Sequence, residues 1–447
     1  MRRVRKAILI LLATLLGLCL IAEIGERIYV ERPLTTDFYG SLPRGEVRAR
    51  QAEVGVRTAS GPGWLHLGWI ADPERETYHI ERLTGGTWEP VGRAEYGSFL
   101  LREGGTFRVL ALPRDGSAPR LIGEVTAEVP DGTPPVFVPR IAGPWRLLFL
   151  PRTSGYYVND HTIFQDAEGN WRLVGITSKT DGDPDEEKYF AVGVSKEFPP
   201  AEGMTEAEPI ADFGELAWAP YVLHDGRKYH MFWSPHKLHQ MESEDGIRWE
   251  NHRVTISAPM HKFFRDPMVL QVAPGQWLLY TTGRGAYYSR VDVYQSFDLN
   301  EWQYIGPALR SAWRSERNSP FASMESPFVL NYQGRYYLSL TYNNDSFFLH
   351  GILLMFHVWL DRESYNETLV FHSDNPYDFG VYRGRGNSPT LLTRLRAHAP
   401  EIVYNPGESS YYITTCGWPW AATLTKGEVA VAPLVWEPGP QSPGSHR

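Results

Sequence analysis

From about Arg50 to Val129, apolar and polar residues alternate in short runs. Trp64-Leu-His-Leu-Gly-Trp69, Thr77-Tyr-His-Ile-Glu-Arg82 and Thr106-Phe-Arg-Val-Leu-Ala-Leu112 carry the two-residue period of half-buried strands. Gly85-Gly86, Gly104-Gly105 and Pro113-Arg-Asp-Gly116 separate them as turns. The pattern predicts a small β-sandwich over residues 50–130, with 31–49 as a linker before it. No catalytic constellation lies in this stretch, so a spacer or docking role is its default.

From about Pro134 the pattern changes to a repeat. Five short motifs each lead into an apolar strand: Asn159-Asp-His-Thr-Ile163, Trp218-Ala-Pro-Tyr-Val222, Arg265-Asp-Pro-Met-Val269, Glu325-Ser-Pro-Phe-Val329 and His398-Ala-Pro-Glu-Ile402. A turn and a second, aromatic strand follow, as at Gly169-Asn-Trp171, Gly226-Arg-Lys-Tyr229 and Gly334-Arg-Tyr336. The second strands end in hydroxyl residues such as Thr177, Ser234, Thr281, Thr341 and Thr414. Second-column positions 160, 219, 266, 326 and 399 differ by 59, 47, 60 and 73 residues. Units of that size with about four strands are propeller blades. The expectation is an all-β chain with a five-bladed β-propeller over 134–437 and a disordered tail over 438–447. Closure of the ring is expected between Trp145–Phe149 and Glu428–Ala432.

The first residues read as an address. Arg2, Arg3, Arg5 and Lys6 precede an apolar run from Ala7 to Ala22, the layout of an export signal. The run is long for a signal peptide and short for a spanning helix of ~20 residues. A cleaved signal and an uncleaved membrane anchor over residues 1–30 both fit, and either places the remainder outside the cytoplasm. Hydrophobic residues make up 42% and charged residues 21% of the 447, which excludes a disordered chain. The formal net charge of −8 argues against a nucleic-acid-binding face. The two cysteines, Cys19 and Cys416, leave no disulfide framework and no thiolate metal cluster.

In a propeller the first strand of each blade lines the axis, so the motif columns converge. Column one holds Asn159, Trp218, Arg265, Glu325 and His398; column two holds Asp160, Ala219, Asp266, Ser326 and Ala399. Three carboxylates thus come from three blades. Asp160, Asp266 and Glu325 around one aromatic-walled hollow suit glycosidic bond cleavage, which needs one protonated and one ionised acid. Arg265 is placed to hold Asp266 ionised. Tyr157, Trp218 and Trp418 are candidate stacking faces for sugar rings. His161 and His398 are candidate substrate contacts, each balanced against a satisfied core histidine. Glu401 reads less readily as a channel residue than as a carboxylate buried beside an Arg. The run Asp181-Gly-Asp-Pro-Asp-Glu-Glu187 reads as a solvated acidic loop, since its spacing fits no full calcium loop. Trp420 beside Trp418 reads as core or rim packing as readily as a stacking surface.

With these residues in view, Asp160, Arg265-Asp-Pro267 and Glu325 resemble the three acidic motifs of the five-bladed glycoside hydrolases of families 43, 32, 62 and 68. The resemblance covers about Pro134 to Glu437 and is closest in motif to families 43 and 32. It implies Asp160 as general base or nucleophile, Asp266 as the residue that orients substrate and tunes the acid, and Glu325 as general acid. Trp218-Ala-Pro220 resembles the second-blade motif common in family 43. His398 resembles the fifth-blade His that lies near a central ion or water there, which implies a possible central Ca2+; no cofactor is required and no metal ligand is assigned. His161 stands where the family has Pro, and Ser326 where family 32 has Cys. The earlier strands around Trp69 and Tyr78 loosely resemble a fibronectin type III module.

The implied activity is that of an exported hydrolase of an arabinofuranoside, xyloside or fructofuranoside in an oligo- or polysaccharide. A glycosyl transferase or phosphorylase on the same fold, and a non-catalytic sugar-binding propeller, are the competing readings. The membrane is a partner only if the N-terminal segment stays uncleaved.

Overall fold

The computed structural model describes residues 14, 17, 42–153, 155–179, 186–210, 213–257, 264–284, 289–311, 323–343, 364–384, 388–419 and 423–439. All of the expected export segment except residues 14 and 17, together with Trp420 and most of the expected tail, lies outside the described residues. No helix among the described residues is long and apolar enough to cross a membrane.

Arg44–Val54 form a helix, where the sequence reading placed the end of a linker and the first sandwich residues. Its inward stripe is Val47 and Gln51, four residues apart. A glutamine in the middle of so narrow a stripe hides the helical period. Gln51 Nε2 donates to Ile70 O at 3.2 Å, which ties the helix to the sheets below.

Two sheets follow. Arg57–Gly61, Trp64–Gly68 and Ser98–Leu101 make a three-stranded sheet, and Thr87–Ala94, Glu76–Thr84, Gly105–Pro113 and Arg120–Ala127 a four-stranded one. Buried positions alternate along Glu76–Thr84, as the sequence period requires. Leu65, Leu67, Trp69, Tyr78, Ile80, Phe107 and Val109 form the shared core. Every residue of Trp64–Gly68 is buried, because its outer face packs on the remainder of the chain. His66 stacks on Tyr377 at 3.9 Å between ring centroids. Gln295 Nε2 and Gln303 Nε2 both donate to Trp69 O, at 3.0 and 2.7 Å. A Cβ at Gly97 would lie 1.9 Å from Trp69 O and 2.1 Å from Gln303 Nε2, so only glycine fits this junction.

Beyond Pro134 the described residues are mostly β, in sheets of four strands like the blades of a propeller. In chain order they are His161–Gln165, Trp171–Thr177, Tyr189–Ser195 and Thr205–Ile210; then Trp218–His224, Tyr229–Ser234, Leu238–Ser243 and Glu250–Ile256. Arg265–Ala273, Gln276–Arg284, Ser289–Ser296 and Gln303–Ser311 form the third, to which Gly380–Tyr382 adds in parallel. Ser323–Tyr332, Arg335–Asn343, Glu367–Ser373 and Leu391–Arg396 form the fourth. The last sheet joins Ile402–Asn405, Ser410–Thr415 and Val429–Pro438 to Phe137–Ile141, and Arg146–Phe149 pairs with the same long strand. The expected pairing of residues 145–149 with 428–432 is present, in the register Val429 to Phe149 and Ala430 to Leu147. Pro438, placed by sequence in the tail, still pairs with Phe137.

The first strands of successive sheets touch one another, His161–Gln165 against Trp218–His224 and onward to Ser323–Tyr332. Ala219, Asp266, Ser326 and Ala399 have positive φ of 48, 56, 51 and 43 degrees, each directly before a proline. Three of these lie at register shifts, between Trp218 and Tyr221, Arg265 and Met268, and Glu325 and Phe328. A left-handed non-glycine residue costs on the order of 1 kcal/mol or more. Repeating that strain at one column re-aims the first-strand side chains toward a common centre.

Candidate functional site

The second and third motif columns line one cavity of about 40 Å3. Asp160, Asp266, Ser326 and Glu401 put polar groups on its wall, and Pro220, Pro267, Pro327 and Pro400 shape it. The hydroxyl residues that close the second strands fix the motifs. Ser234 Oγ accepts from Asp266 N at 3.0 Å, and Thr341 Oγ1 from Ala399 N at 2.8 Å. Each holds the motif of the next sheet, which explains a recurring hydroxyl that the strand pattern alone does not need.

Ser326 links two of the acids. Its Oγ donates to Asp160 Oδ1 at 2.7 Å, and its N–H to Asp266 Oδ2 at 3.0 Å. Asn159 Nδ2 donates to Asp160 Oδ2 at 2.9 Å, and Thr282 Oγ1 to Asp266 Oδ2 at 3.2 Å. Arg265 Nη2 lies 2.7 Å from Glu325 Oε1, and its Nε 3.7 Å from Asp266 Oδ2. Three carboxylates distant in sequence therefore share one arginine and one serine. Sequence assigned Arg265 to Asp266, whereas the tighter pair is with Glu325, because the bulge turns both column-one side chains to the same side.

Burial holds Asp160 above the usual carboxylate range, and the nearby Glu325 charge adds to the rise; the Ser326 hydroxyl and Arg265 oppose it. Asp266 is raised for the same first reason, with Arg265 opposing. His398 Nδ1 donates to Tyr365 O at 2.9 Å, leaving a buried Nε2 with no hydrogen-bond partner. Burial also lowers its pKa, which favours the neutral ring, and in that form this nitrogen is an acceptor. His161 lines the same cavity and is buried, 5% exposed, with Nε2 2.8 Å from Thr414 Oγ1.

Tyr157 does not offer a stacking face. It is 1% exposed, and its hydroxyl donates a very short hydrogen bond to Glu187. The Trp418 indole N–H donates to the same Glu187 oxygen at 3.2 Å. Trp218 also favours the ionised Glu187, although its N–H makes no well-formed hydrogen bond. The three aromatics singled out in the sequence thus gather around a carboxyl that the sequence reading left in a solvated loop. Glu187 is 2% exposed and pushed up to about 7, first by burial and also by the charge of Asp160. Its one sequence signal is position, two residues before the mostly buried strand Tyr189–Ser195. Glu187→Ala leaves Tyr157 and Trp418 without their acceptor and is expected to cost about 1–3 kcal/mol in denaturant unfolding. Glu187→Gln, which keeps an oxygen in place, is expected to lose less.

Glu401 sits on the cavity wall and accepts from Ile163 N at 2.8 Å. Burial pushes its carboxyl up to about 8. A carboxyl with a raised folded-state pKa binds its proton more tightly when folded. Its contribution is full below about pH 4.3 and is lost as pH rises through 8. Thermal melting is therefore expected at lower temperature at pH 8.5 than at pH 5.5, and Glu401→Gln is expected to flatten that fall. An equal fall in the variant would remove Glu401 as its source.

Asp160, His398 and Cys416 place one ligand atom each within 4.8 Å of one another. Calcium takes six to eight oxygen ligands, and this set supplies one carboxylate oxygen beside an imidazole and a thiol. Burial raises the Cys416 thiol well above its ordinary pKa, so it is no thiolate. The donors do not fit the calcium that the resemblance implied.

Residues 220–344 match the model of the glycosyl hydrolases family 32 N-terminal domain. The stretch includes Arg265, Asp266 and Glu325 and leaves out Asp160. No curated protein matches the chain. Among similar solved structures is a thermostable family-43 glycoside hydrolase, 16% identical over 67% of this chain and 100% of that one, with a TM-score of 0.46. A Penicillium chrysogenum alpha-L-arabinanase complexed with arabinobiose is 12% identical over 67% and 98%, at 0.42. A family 32 beta-fructofuranosidase of Bombyx mori is 14% identical over 62% and 61%, also at 0.42. The chain is similar to the propeller glycoside hydrolases, as its motifs implied.

Proposed function

We propose that this protein is an exported glycoside hydrolase, built on a five-bladed β-propeller with a fibronectin-III-like sandwich docked on its side. The observation that carries the reading is the convergence of Asp160, Asp266 and Glu325 from three sheets, joined by Ser326 and Arg265. Export rests on the basic and apolar N-terminal residues. The substrate class is an arabinofuranoside, xyloside or fructofuranoside within an oligo- or polysaccharide.

Hydrolysis needs a group that activates water or attacks the sugar carbon, and a group that protonates the leaving oxygen. Asp160 takes the first role, with Ser326 and Asn159 fixing its two oxygens. Asp266 orients the substrate and shares its field with Asp160. Glu325 takes the second. Its ion pair with Arg265 favours the ionised form, so the proton donor forms only when sugar hydroxyls take over the Arg265 N–H groups. Binding of the correct substrate then arms the acid. Trp418, held at Glu187, and Trp218 beside it flank the sugar. No metal takes part in this scheme.

Wild type and Glu325→Gln are to be compared on arabinan, xylan, fructan and galactan fragments. Wild type is expected to cleave one class, and the variant to lose about 10²–10⁴-fold in rate. On an aryl glycoside whose leaving group needs no proton, the variant's loss should shrink. An equal loss on both substrates would remove Glu325 from the acid role. Binding without cleavage on the whole panel would favour the non-catalytic propeller.

A further inference from the structure

A second cluster lies away from the carboxylates, on the second sheet. His239 stands on Leu238–Ser243, His252 on the edge strand Glu250–Ile256, and Glu215 on the segment that leads into Trp218. His239 Nδ1 is 3.1 Å from His252 Nε2 and 3.7 Å from Glu215 Oε1. All three ligand atoms fall within 4.8 Å of one another. Both imidazoles lie roughly parallel to the Trp233 indole, at 17 and 28 degrees, with centroids 5.2 and 5.1 Å away.

Four ligands at 2.0–2.1 Å around a tetrahedral ion stand about 3.4 Å apart. The two measured separations straddle that value. His239 is buried, and its Nδ1 is turned toward both other donors. Glu215 and His252 are exposed, which leaves an approach for an ion and a position for water. Lys237 Nζ sits 3.9 Å from the other Glu215 oxygen, Oε2, so Oε1 stays turned to the histidines. Two imidazoles and a carboxylate suit zinc-like divalent ions and not calcium or magnesium.

We propose that Glu215, His239 and His252 bind one divalent transition-metal ion of the zinc class. The ion fastens residues 213–217 to the second sheet. That segment is also tied by Phe213 N to Lys188 O at 2.9 Å and by Ala217 N to Glu187 O at 2.8 Å. It carries the chain into Trp218, so the clip steadies one wall of the carboxylate cavity from outside.

The same contact could be a plain hydrogen bond between two histidines, and the test separates the cases. The full chain, freed of metal by a chelator, is titrated with Zn2+ by calorimetry, and with Co2+ by visible absorption. The expected result is one saturable Zn2+ per chain, the absorption of tetrahedral Co2+, and a melting temperature raised by several degrees. His252→Gln and Glu215→Gln, both at exposed positions, should each abolish the tight site and the shift. Absence of saturable Zn2+ binding, or binding that survives both substitutions, would overturn the proposal. Equal competition by Ca2+ would overturn the assignment of ion class.

Discussion

Asp160→Asn is expected to lower kcat/KM on the cleaved substrate by about 10²–10⁴-fold while leaving the melting temperature unchanged or slightly raised. Asn keeps the shape of Asp and can still accept from Ser326 Oγ, which lies 2.7 Å away in the parent, giving up only the bond from Asn159 Nδ2. It removes a charge that burial already disfavours. The prediction therefore splits chemistry from folding. A structural Asp that merely closes a turn would show the opposite, lost stability with intact turnover. Steady-state kinetics beside thermal unfolding of the same preparation checks both halves.

Arg265→Met is expected to cost about 3–5 kcal/mol of stability, the usual price of stranding buried charge. Glu325 and Asp266 are 5% and 6% exposed, and the guanidinium is the cation between them. Without it, both carboxyls are driven toward the protonated form. The sign with pH follows. At low pH the acids are neutral and the loss is small; as pH rises, ionisation of unpaired buried acids makes it larger. Urea unfolding at pH 5 and pH 8 should show a greater deficit at pH 8. A deficit independent of pH would mean that Arg265 acts by packing alone.

Much of this was legible in the chain because the repeat is written in short motifs of fixed order. Proline in the third column marks the left-handed residue before it, and the strain at Ala219, Asp266, Ser326 and Ala399 is the backbone expression of that signature. Carboxylates in those columns could be brought together on paper. Other features depend on partners far away in sequence. The helix Arg44–Val54 buries a glutamine rather than a leucine, so no apolar period announces it. Docking of the sandwich rests on Gln295 and Gln303 reaching a carbonyl more than two hundred residues distant. Glu187 looked solvated because its neighbours in sequence are acidic, whereas its neighbours in space are Tyr157 and Trp418. Tyr157 failed as a stacking surface for the same reason: composition names an aromatic but not the face it turns to solvent.

The most direct measurement is a crystal structure of Glu325→Gln soaked with the oligosaccharide that wild type cleaves. The account places the scissile bond between residue 325 and Asp160, with the sugar carbon facing Asp160 and Arg265 turned from residue 325 to sugar hydroxyls. A sugar seated elsewhere on the propeller, with Asp160 and residue 325 both out of contact, would contradict it.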